Sequence, residues 1–399
     1  MRKPRRHPDL SCGHFISALL RQNERMTIDS KMQNKSENRL PSDRQQLKKA
    51  VETLRTGGLV ALPTETVYGL GADATNAGAV ARIFAAKGRP ENHPLIVHVA
   101  KEVDLTDWAI DIPPIAKKLT DAFWPGPLTL ILKKSARIPL AVTGGQSTVG
   151  IRCPAHPLAQ KLLTEFAKAG SGIIAAPSAN KFGHVSPTTA QHVRDEFGDA
   201  ILILDGGACQ VGIESTILDL SRMKTLKRPV VLRPGAITPE MIRGVIGEMP
   251  LQPEDLPASK GATIKPDMPR VSGSLAAHYA PMTPLQLLDT PALQTEMDRC
   301  LTAGKRVAVL AFSAKPRVKP SPVGVGVRNA RSLVWISAEA EPVSYAQGLY
   351  ANLRTLDAAQ TSVILVEQPP ILPAWAAIND RLGRAAVGSG KKTPAKRSG

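Results

Sequence analysis

Leu59-Val60-Ala61-Leu62-Pro63-Thr64-Glu65-Thr66-Val67-Tyr68-Gly69-Leu70-Gly71 runs from a short apolar stretch into a segment with three hydroxyl-bearing residues and two glycines. The apolar half reads as a strand and the rest as the loop at its end, where backbone can approach a ligand closely. A Thr-rich turn accounts for the same residues equally well. Gly69-Leu-Gly71-Ala-Asp-Ala74 also spells a dinucleotide fingerprint, but Thr64 to Tyr68 is too polar for the buried strand that must precede one. Upstream, Ser42-Asp-Arg-Gln matches a capping box, Leu47, Ala50, Val51 and Leu54 share a helical stripe, and Gly57-Gly58 ends it. Downstream, β-prone runs at 95–99, 128–132, 172–176, 201–204, 216–220 and 230–232 alternate with amphipathic stretches at 78–87, 157–168 and 188–197. The pattern is α/β.

The 399 residues suit two domains, and 43% apolar content supplies a core for each. A fibrous or wholly disordered chain is excluded. With 4% aromatic residues, broad stacking platforms for single-stranded nucleic acid are disfavoured. The net charge of +17 suggests an anionic partner, but residues 1–49 hold 12 basic and 5 acidic side chains and residues 381–399 hold 6 basic and none acidic, leaving about +4 for the 331 between. The excess sits in the ends, which read as solvated tails or as RNA-binding arms. Cys12, Cys153, Cys209 and Cys300 form no CxxC pair, which fits a reducing cytoplasm. Cys12 to Leu20 follows a basic stretch as a signal peptide would, but Gly13, His14 and Ser17 interrupt it, so it reads as a tail, with Met26 and Met32 as alternative starts. No apolar run approaches the roughly 20 residues that span a bilayer, so no membrane partner is expected.

Between Gly247 and Pro284 the chain is rich in Pro, Ser, Gly and Lys and reads as a linker. Beyond it Leu285-Gln-Leu-Leu-Asp, a helix near 292–303, Arg306-Val-Ala-Val-Leu-Ala-Phe, a helix near 343–358 and Ser362-Val-Ile-Leu-Val predict a small, Rossmann-like parallel α/β domain.

There is no GxxxxGK[ST] phosphate loop and no GxSxG elbow. His93 and His98, if both are on one strand, face opposite ways and do not share a metal. If the exit from the helix at Lys87-Gly88-Arg89 is extended, its two cations point the same way and suit a polyphosphate; on spacing alone, complementing a helix dipole explains them better. Ser178 and Asn180 are likewise offset by two and suit a carboxylate, ribose or phosphate, or a plain Asx or Ser turn. Gly212-Ile-Glu214-Ser215-Thr216 and Thr148-Val-Gly-Ile-Arg152 carry hydroxyl and charged groups that ordinary surface strands would also explain.

Taken together, PTETVYGLG (63–71), KGRPENHPLIVHV (87–99), TVGIRCP (148–154), APSAN (176–180), GIESTILDL (212–220) and VLRPG (231–235) resemble the YrdC-like domain of threonylcarbamoyl-AMP synthases. Gly273-Ser-Leu-Ala-Ala-His278-Tyr279-Ala280-Pro281 resembles the long form, with an added C-terminal domain. The resemblance implies a twisted mixed sheet with helices, and this division: a basic N-terminal extension (1–41), a catalytic domain (42–248), a linker with the His-Tyr-Ala-Pro element (249–284), a C-terminal α/β domain (285–386) and a basic tail (387–399).

The activity it implies makes threonylcarbamoyl-adenylate and pyrophosphate from L-threonine, bicarbonate and ATP, with Mg²⁺ carried on the ATP and no protein metal ligands, as the first step toward threonylcarbamoylation of tRNA adenosine 37. The substrate supplies the nucleophile, so the protein's task is positioning and charge neutralisation. By resemblance Lys87, Arg89, Ser178 and Asn180 are the catalytic quartet. Thr66, His98, Arg152, Ser178 and Ser215 fall to the threonine side, and Arg89, His93, Thr148, Asn180, Ser186, Arg233 and Tyr279 to the ATP side. His278-Tyr279 would close over the cavity or pack the linker. The tRNA threonylcarbamoyl-transferase proteins are expected partners, and direct tRNA binding stays open. The rival readings are an RNA-binding module without adenylate synthesis and the carbamoyl-adenylate chemistry of hydrogenase maturation, which the missing paired CxxC motifs disfavour.

Overall fold

The computed structural model describes residues 40–256, 268–315 and 332–390. The basic extension up to 39, part of the linker and the tail from 391 therefore lie outside the described residues. The described residues open with helix α1 (Leu40–Arg55), which begins before the predicted capping box; Pro41 is tolerated there because first-turn amides lack helical partners anyway. Strands β1 (Val60–Leu62) and β2 (Gly69–Asp73) follow, then α2 (Ala77–Lys87), capped by the Asn76 side chain and ended by left-handed Gly88.

The rest of the first sheet comprises β3 (Ile96–Val99), β4 (Ala109–Ile110), β5 (Leu128–Lys134), β6 (Thr148–Arg152), β7 (Ile173–Ala175), β8 (Leu202–Ile203), β9 (Thr216–Asp219) and β10 (Val230–Arg233). Helices α3 (Ile115–Phe123), α4 (Pro157–Ala169), α5 (Ala190–Phe197) and α6 (Pro239–Ile246) intervene. The strand order is β10-β9-β5-β6-β3-β7-β2-β1-β8, with β4 beside β5. Parallel pairs (β1 with β8, β3 with β6, β5 with β9) mix with antiparallel ones. Alternation explains why the opening apolar stretch is continuous. Val60 and Leu62 pack with Ala50, Leu54 and Phe166, while Ala61 faces the opposite layer with Tyr68, Leu70 and Ile83.

The second sheet, β11 (Leu285–Leu288), β12 (Val307–Ala311), β13 (Leu333–Ser337) and β14 (Val363–Glu367), is wholly parallel in the order β11-β14-β12-β13. Helix α7 (Thr290–Thr302) covers one face, and α8 (Pro342–Ala358) and α9 (Ala376–Gly388) the other. The fold is the expected one: a large mixed sheet followed by a smaller parallel α/β unit. β13 and α9 are additions to the sequence expectation, and α9 runs through Gly388, past the predicted end at 386.

The core under α8 and α9 is shared, because Val67, Val185, Ile213 and Tyr279 from earlier in the chain join Leu349, Tyr350, Leu353 and Leu382. At Gly212 (φ +77°) an added Cβ would stand 2.5 Å from Gln347 main chain, so this loop needs glycine to reach α8. Two carboxylates cross the same boundary: Glu196 pairs with Arg354 at 2.8 Å and Glu214 with Arg381 at 2.9 Å. No helix among the described residues is long and apolar enough to cross a membrane.

Burial pushes the Glu196 carboxyl up, but hydrogen bonds from His184 and Lys181 and the Arg354 charge outweigh it and hold it at about 2. Burial likewise raises Glu214, and the Arg381 and Arg233 charges bring it down to about 2. Folded values below the unfolded value give stability that is present above the usual carboxylate range and lost as pH falls through it. Thermal melts should therefore show stability declining from about pH 5 toward pH 2, with a shallower decline in Glu196→Gln. An unchanged slope in that variant would remove the cross-boundary pair from the account.

Candidate functional site

A cleft opens over one face of the first sheet. Its floor comes from strand parity: Ile96 and His98 share a face of β3, and His98 sits in register with Arg152 on β6, which in turn pairs with Thr129 on β5. The loop before β2 gives Thr64, Thr66 and Val67; the chain after β7 gives Ser178. The far wall is Glu214, Ser215 and Arg233, and the roof is the strap Ser272–Ala280, through Ser272, His278 and Tyr279. Of the residues singled out in the sequence, Thr66, His98, Arg152, Ser178, Ser215, Arg233 and Tyr279 thus line one cavity.

The first loop is rigid because Thr64 Oγ1 donates to Val67 O at 2.6 Å and accepts from the amides of Thr66 and Val67. It delivers Glu65 to Arg152 (Oε1 to Nη2, 2.7 Å) and Thr66 Oγ1 to Arg152 Nη1 at 2.8 Å, while Ala155 N donates to Glu65 Oε2 at 2.9 Å. Arg233 donates through Nε and Nη2 to Ser215 O at 3.1 and 2.9 Å, and through Nη1 to Ser272 O at 2.9 Å, tying the strap to the wall. Ser215 Oγ shares a hydrogen with Thr129 Oγ1 at 2.7 Å.

The quartet is arranged differently from the expectation. Lys87 ends α2, Gly88 turns left-handed and Arg89 follows, so no extended exit aligns the two cations. Ser178 to Asn180 is also bent, with Asn180 N donating to Ser178 O at 3.0 Å, so the offset of two does not align those side chains. The cations and the bend meet by another route: Lys87 Nζ donates to Ser178 O at 2.5 Å and to Asn180 O. Asn180 Nδ2 donates to Lys181 O and His184 O, leaving buried Oδ1 without a partner. Arg89 Nη2 donates to Pro94 O at 2.9 Å, and its buried Nε is unpartnered.

Six sequence candidates do not line the main cleft: Lys87, Arg89 and Asn180, just described, and His93, Ser186 and Thr148. His93 precedes β3 rather than lying on it, edge-on to Phe182 at 5.4 Å. Ser186 is fully buried and donates to Glu214 Oε1 at 2.6 Å. Thr148 lines an adjoining cavity with Gln146, Arg270 and Val271, which meets the first at Ile96 and Ser272. Glu65, Ser272 and the C-terminal side chains on Glu214 went unassigned in the sequence; Glu65 and Ser272 were at least inside or beside quoted motifs.

Burial, then the Arg89 charge, drives Lys87 well below its ordinary value, and burial takes Arg89 down to about 10. Burial, with Arg152 beside it, takes His98 to about 3, and burial takes His278 to the same value, so both rings are neutral at pH 7. Lys87, Arg89 and Arg233 form no ion pair among the described residues, whereas the adjacent carboxylates are committed elsewhere. Such a cavity suits an anion with several oxygens beside a smaller polar ligand.

Residues 52–235 match the Sua5/YciO/YrdC family model, described as telomere recombination, and 237–387 match the threonylcarbamoyl-AMP synthase C-terminal domain model. A threonylcarbamoyl-AMP synthase of Pyrococcus abyssi is 39% identical over 334 residues, 84% of this chain and 92% of its own length. The chain belongs to the threonylcarbamoyl-AMP synthase family. A Bacillus subtilis member is 40% identical over 349 residues, 86% of this chain and 93% of that protein. The crystal structure of P. abyssi Sua5 complexed with L-threonine superposes with a TM-score of 0.71 at 37% identity, covering 86% of this chain and 94% of that one.

In this family member the Glu65–Arg152 pair is almost wholly withdrawn from water, so removing one partner strands the other. Glu65→Gln and Arg152→Met should each lower unfolding free energy by about 3–5 kcal/mol in denaturant titrations. A loss below about 1 kcal/mol would mean that water screens the pair.

Proposed function

We propose that the chain is an L-threonylcarbamoyladenylate synthase, joining L-threonine, bicarbonate and ATP into threonylcarbamoyl-AMP and pyrophosphate for the tRNA threonylcarbamoyl pathway. Family membership supports a transferase of tRNA processing. The observation that carries the finer reading is one cavity lined by Arg233, with Lys87 and Arg89 buried without ion pairs against its lining residues Ser178 and Ser272, beside a smaller subsite of hydroxyls, a neutral imidazole and the Glu65–Arg152 pair.

The amine of threonine adds to bicarbonate-derived CO₂ to give a carbamate, whose oxygen attacks the α-phosphorus and expels pyrophosphate. Arg89 and Arg233, with Lys87 behind them, neutralise the phosphates and the charge that grows on the leaving group. Thr66, His98, Arg152, Ser178 and Ser215 take threonine. His98, kept neutral by burial beside Arg152, accepts or donates one hydrogen bond without adding positive charge. Asn180 and Tyr279 offer a buried carbonyl oxygen and hydroxyl without partners. Thr148 lies in the adjoining cavity, which extends the cleft as a long nucleotide requires. Ser186 acts through Glu214, and His93 through Phe182. The described carboxylates at the cavity, Glu65 and Glu214, are held by Arg152 and Arg381, and the proposal assigns Mg²⁺ to the polyphosphate. The roof over the cavity keeps water from the carbamate and the mixed anhydride.

The product, a mixed anhydride, calls for a transferase protein to pass it to tRNA. A cytoplasmic setting suits the free, buried Cys153, Cys209 and Cys300. Purified protein given ATP, Mg²⁺, bicarbonate and radiolabelled threonine should yield a labelled adenylate with pyrophosphate; folded protein that yields neither, yet binds RNA in a salt-sensitive way, would favour the RNA-binding reading. Ser178→Ala leaves the carbonyl that holds Lys87 and should cut product formation about tenfold or more with little change in melting temperature. Lys87→Ala should cost both, because two buried carbonyls lose their donor.

A further inference from the structure

Thr129 lies on β5, fully buried beneath the cleft and not among the side chains that line it. Its register partner is Arg152 on β6, so the two side chains leave the sheet on the same face, and its Oγ1 stands 2.7 Å from Ser215 Oγ. A contact that short needs one hydrogen between the two oxygens, and both hydroxyls have one to offer. Their other neighbours decide between them. Ser215 Oγ accepts from Arg233 Nη2 at 3.1 Å, and a guanidinium only donates. Thr129 Oγ1 has no second partner among the described residues, so a bond donated by Ser215 would leave the Thr129 hydrogen buried with no acceptor. With Thr129 as the donor, both lone pairs of Ser215 are filled, and the Ser215 hydrogen is free to point into the cleft that this residue lines.

Thr66, the other hydroxyl of the amino-acid subsite in contact with an arginine, is wired the opposite way. Thr64 Oγ1 gives its hydrogen to Val67 O at 2.6 Å, since a carbonyl has none to give, so the 2.9 Å contact between Thr64 Oγ1 and Thr66 Oγ1 must carry the Thr66 hydrogen. Thr66 Oγ1 also accepts from Arg152 Nη1 at 2.8 Å, which leaves it one lone pair and no hydrogen for the cleft. An anionic oxygen placed there would meet lone pair against lone pair, whereas an N–H would be accepted. Ser215 is the complement, a donor with no lone pair to spare. We infer that Thr129 is a positioning residue for the adenylate-forming reaction: by donating to Ser215 it fixes that hydroxyl as a donor to an anionic oxygen of the amino-acid substrate, the carboxylate of threonine or the carbamate formed on its amine. The inference rests on the synthase reading above. Thr129 acts only through Ser215 and does not touch the ligand.

The test uses the full chain with Thr129→Val, which keeps the shape and removes the donor, and Thr129→Ser, which returns it. L-threonine and L-threoninol, in which a neutral alcohol replaces the carboxylate, are titrated calorimetrically without added bicarbonate. kcat and KM for threonine, bicarbonate and ATP are measured beside melting temperatures. With the carboxylate on Ser215, Thr129→Val should raise the threonine Kd about fivefold to tenfold while the threoninol Kd and the ATP KM change little. With the carbamate there, threonine binding holds and the bicarbonate KM rises by about the same factor. Thr129→Ser should recover most of either loss. If Thr129→Val does not fold, Thr129→Cys, whose thiol is a much weaker donor, takes its place. Unchanged constants in both arms, equal weakening of threonine and threoninol, or activity falling only with the folded fraction would overturn the positioning role. A wild-type chain that makes no adenylate overturns the synthase reading instead.

Discussion

Arg233 lines a cavity, and Lys87 and Arg89 are withdrawn from water behind its lining residues Ser178 and Ser272, while the neighbouring carboxylates are already taken, Glu65 by Arg152 and Glu214 by Arg381. Burying a cation without a counter-ion is costly, and backbone carbonyls meet only part of that cost. The ends of α2, β7 and β10 are held by those cations: Lys87 ties α2 to the 178–180 bend, and Arg233 ties β10 to the strap. Under the proposed function the polyphosphate of ATP offsets the rest of that cost.

Neutral groups complement that charge. His98 and His278 stay uncharged because burial and the neighbouring arginines oppose a further cation, so their ring nitrogens serve as hydrogen-bonding groups at neutral pH. The strap is fixed from three sides: by Arg233 on Ser272, by Gly183 O accepting from Ala280 N, and by Arg384 on Leu275. At Gly273 (φ +80°) an added Cβ would fall 2.1 Å from the Tyr279 hydroxyl, so glycine there makes room for the ring over the cleft.

The sheet was legible because its strands are short apolar runs between amphipathic stretches, whereas the side-chain caps at Asn76, Thr189, Thr238 and Asp289 were not part of that reading. The site was legible as a set of motifs, while its internal geometry was not. Pleat parity was applied to Lys87–Arg89 and Ser178–Asn180, where a left-handed glycine and a bend replace extended chain. Parity held where it applied, on β3 and β6, and brought His98 beside Arg152. Arg381 left no trace in the sequence: α9 starts without a side-chain cap, and an arginine in a helix looks exposed until Glu214, 167 residues away, becomes its partner.

The central claim is that Lys87 and Arg89, behind the cavity lining, and Arg233, on it, form a desolvated cation cluster that receives an anionic ligand, with burial holding Lys87 well below its ordinary value. A polyphosphate would restore the ammonium toward its ordinary proton affinity and take up protons on binding. Calorimetric titration of Mg·ATP into the full chain at about pH 9, in buffers of different ionisation enthalpy, measures this directly. Net proton uptake that disappears in Lys87→Met is the predicted result; binding heats independent of buffer, or net proton release, would contradict it.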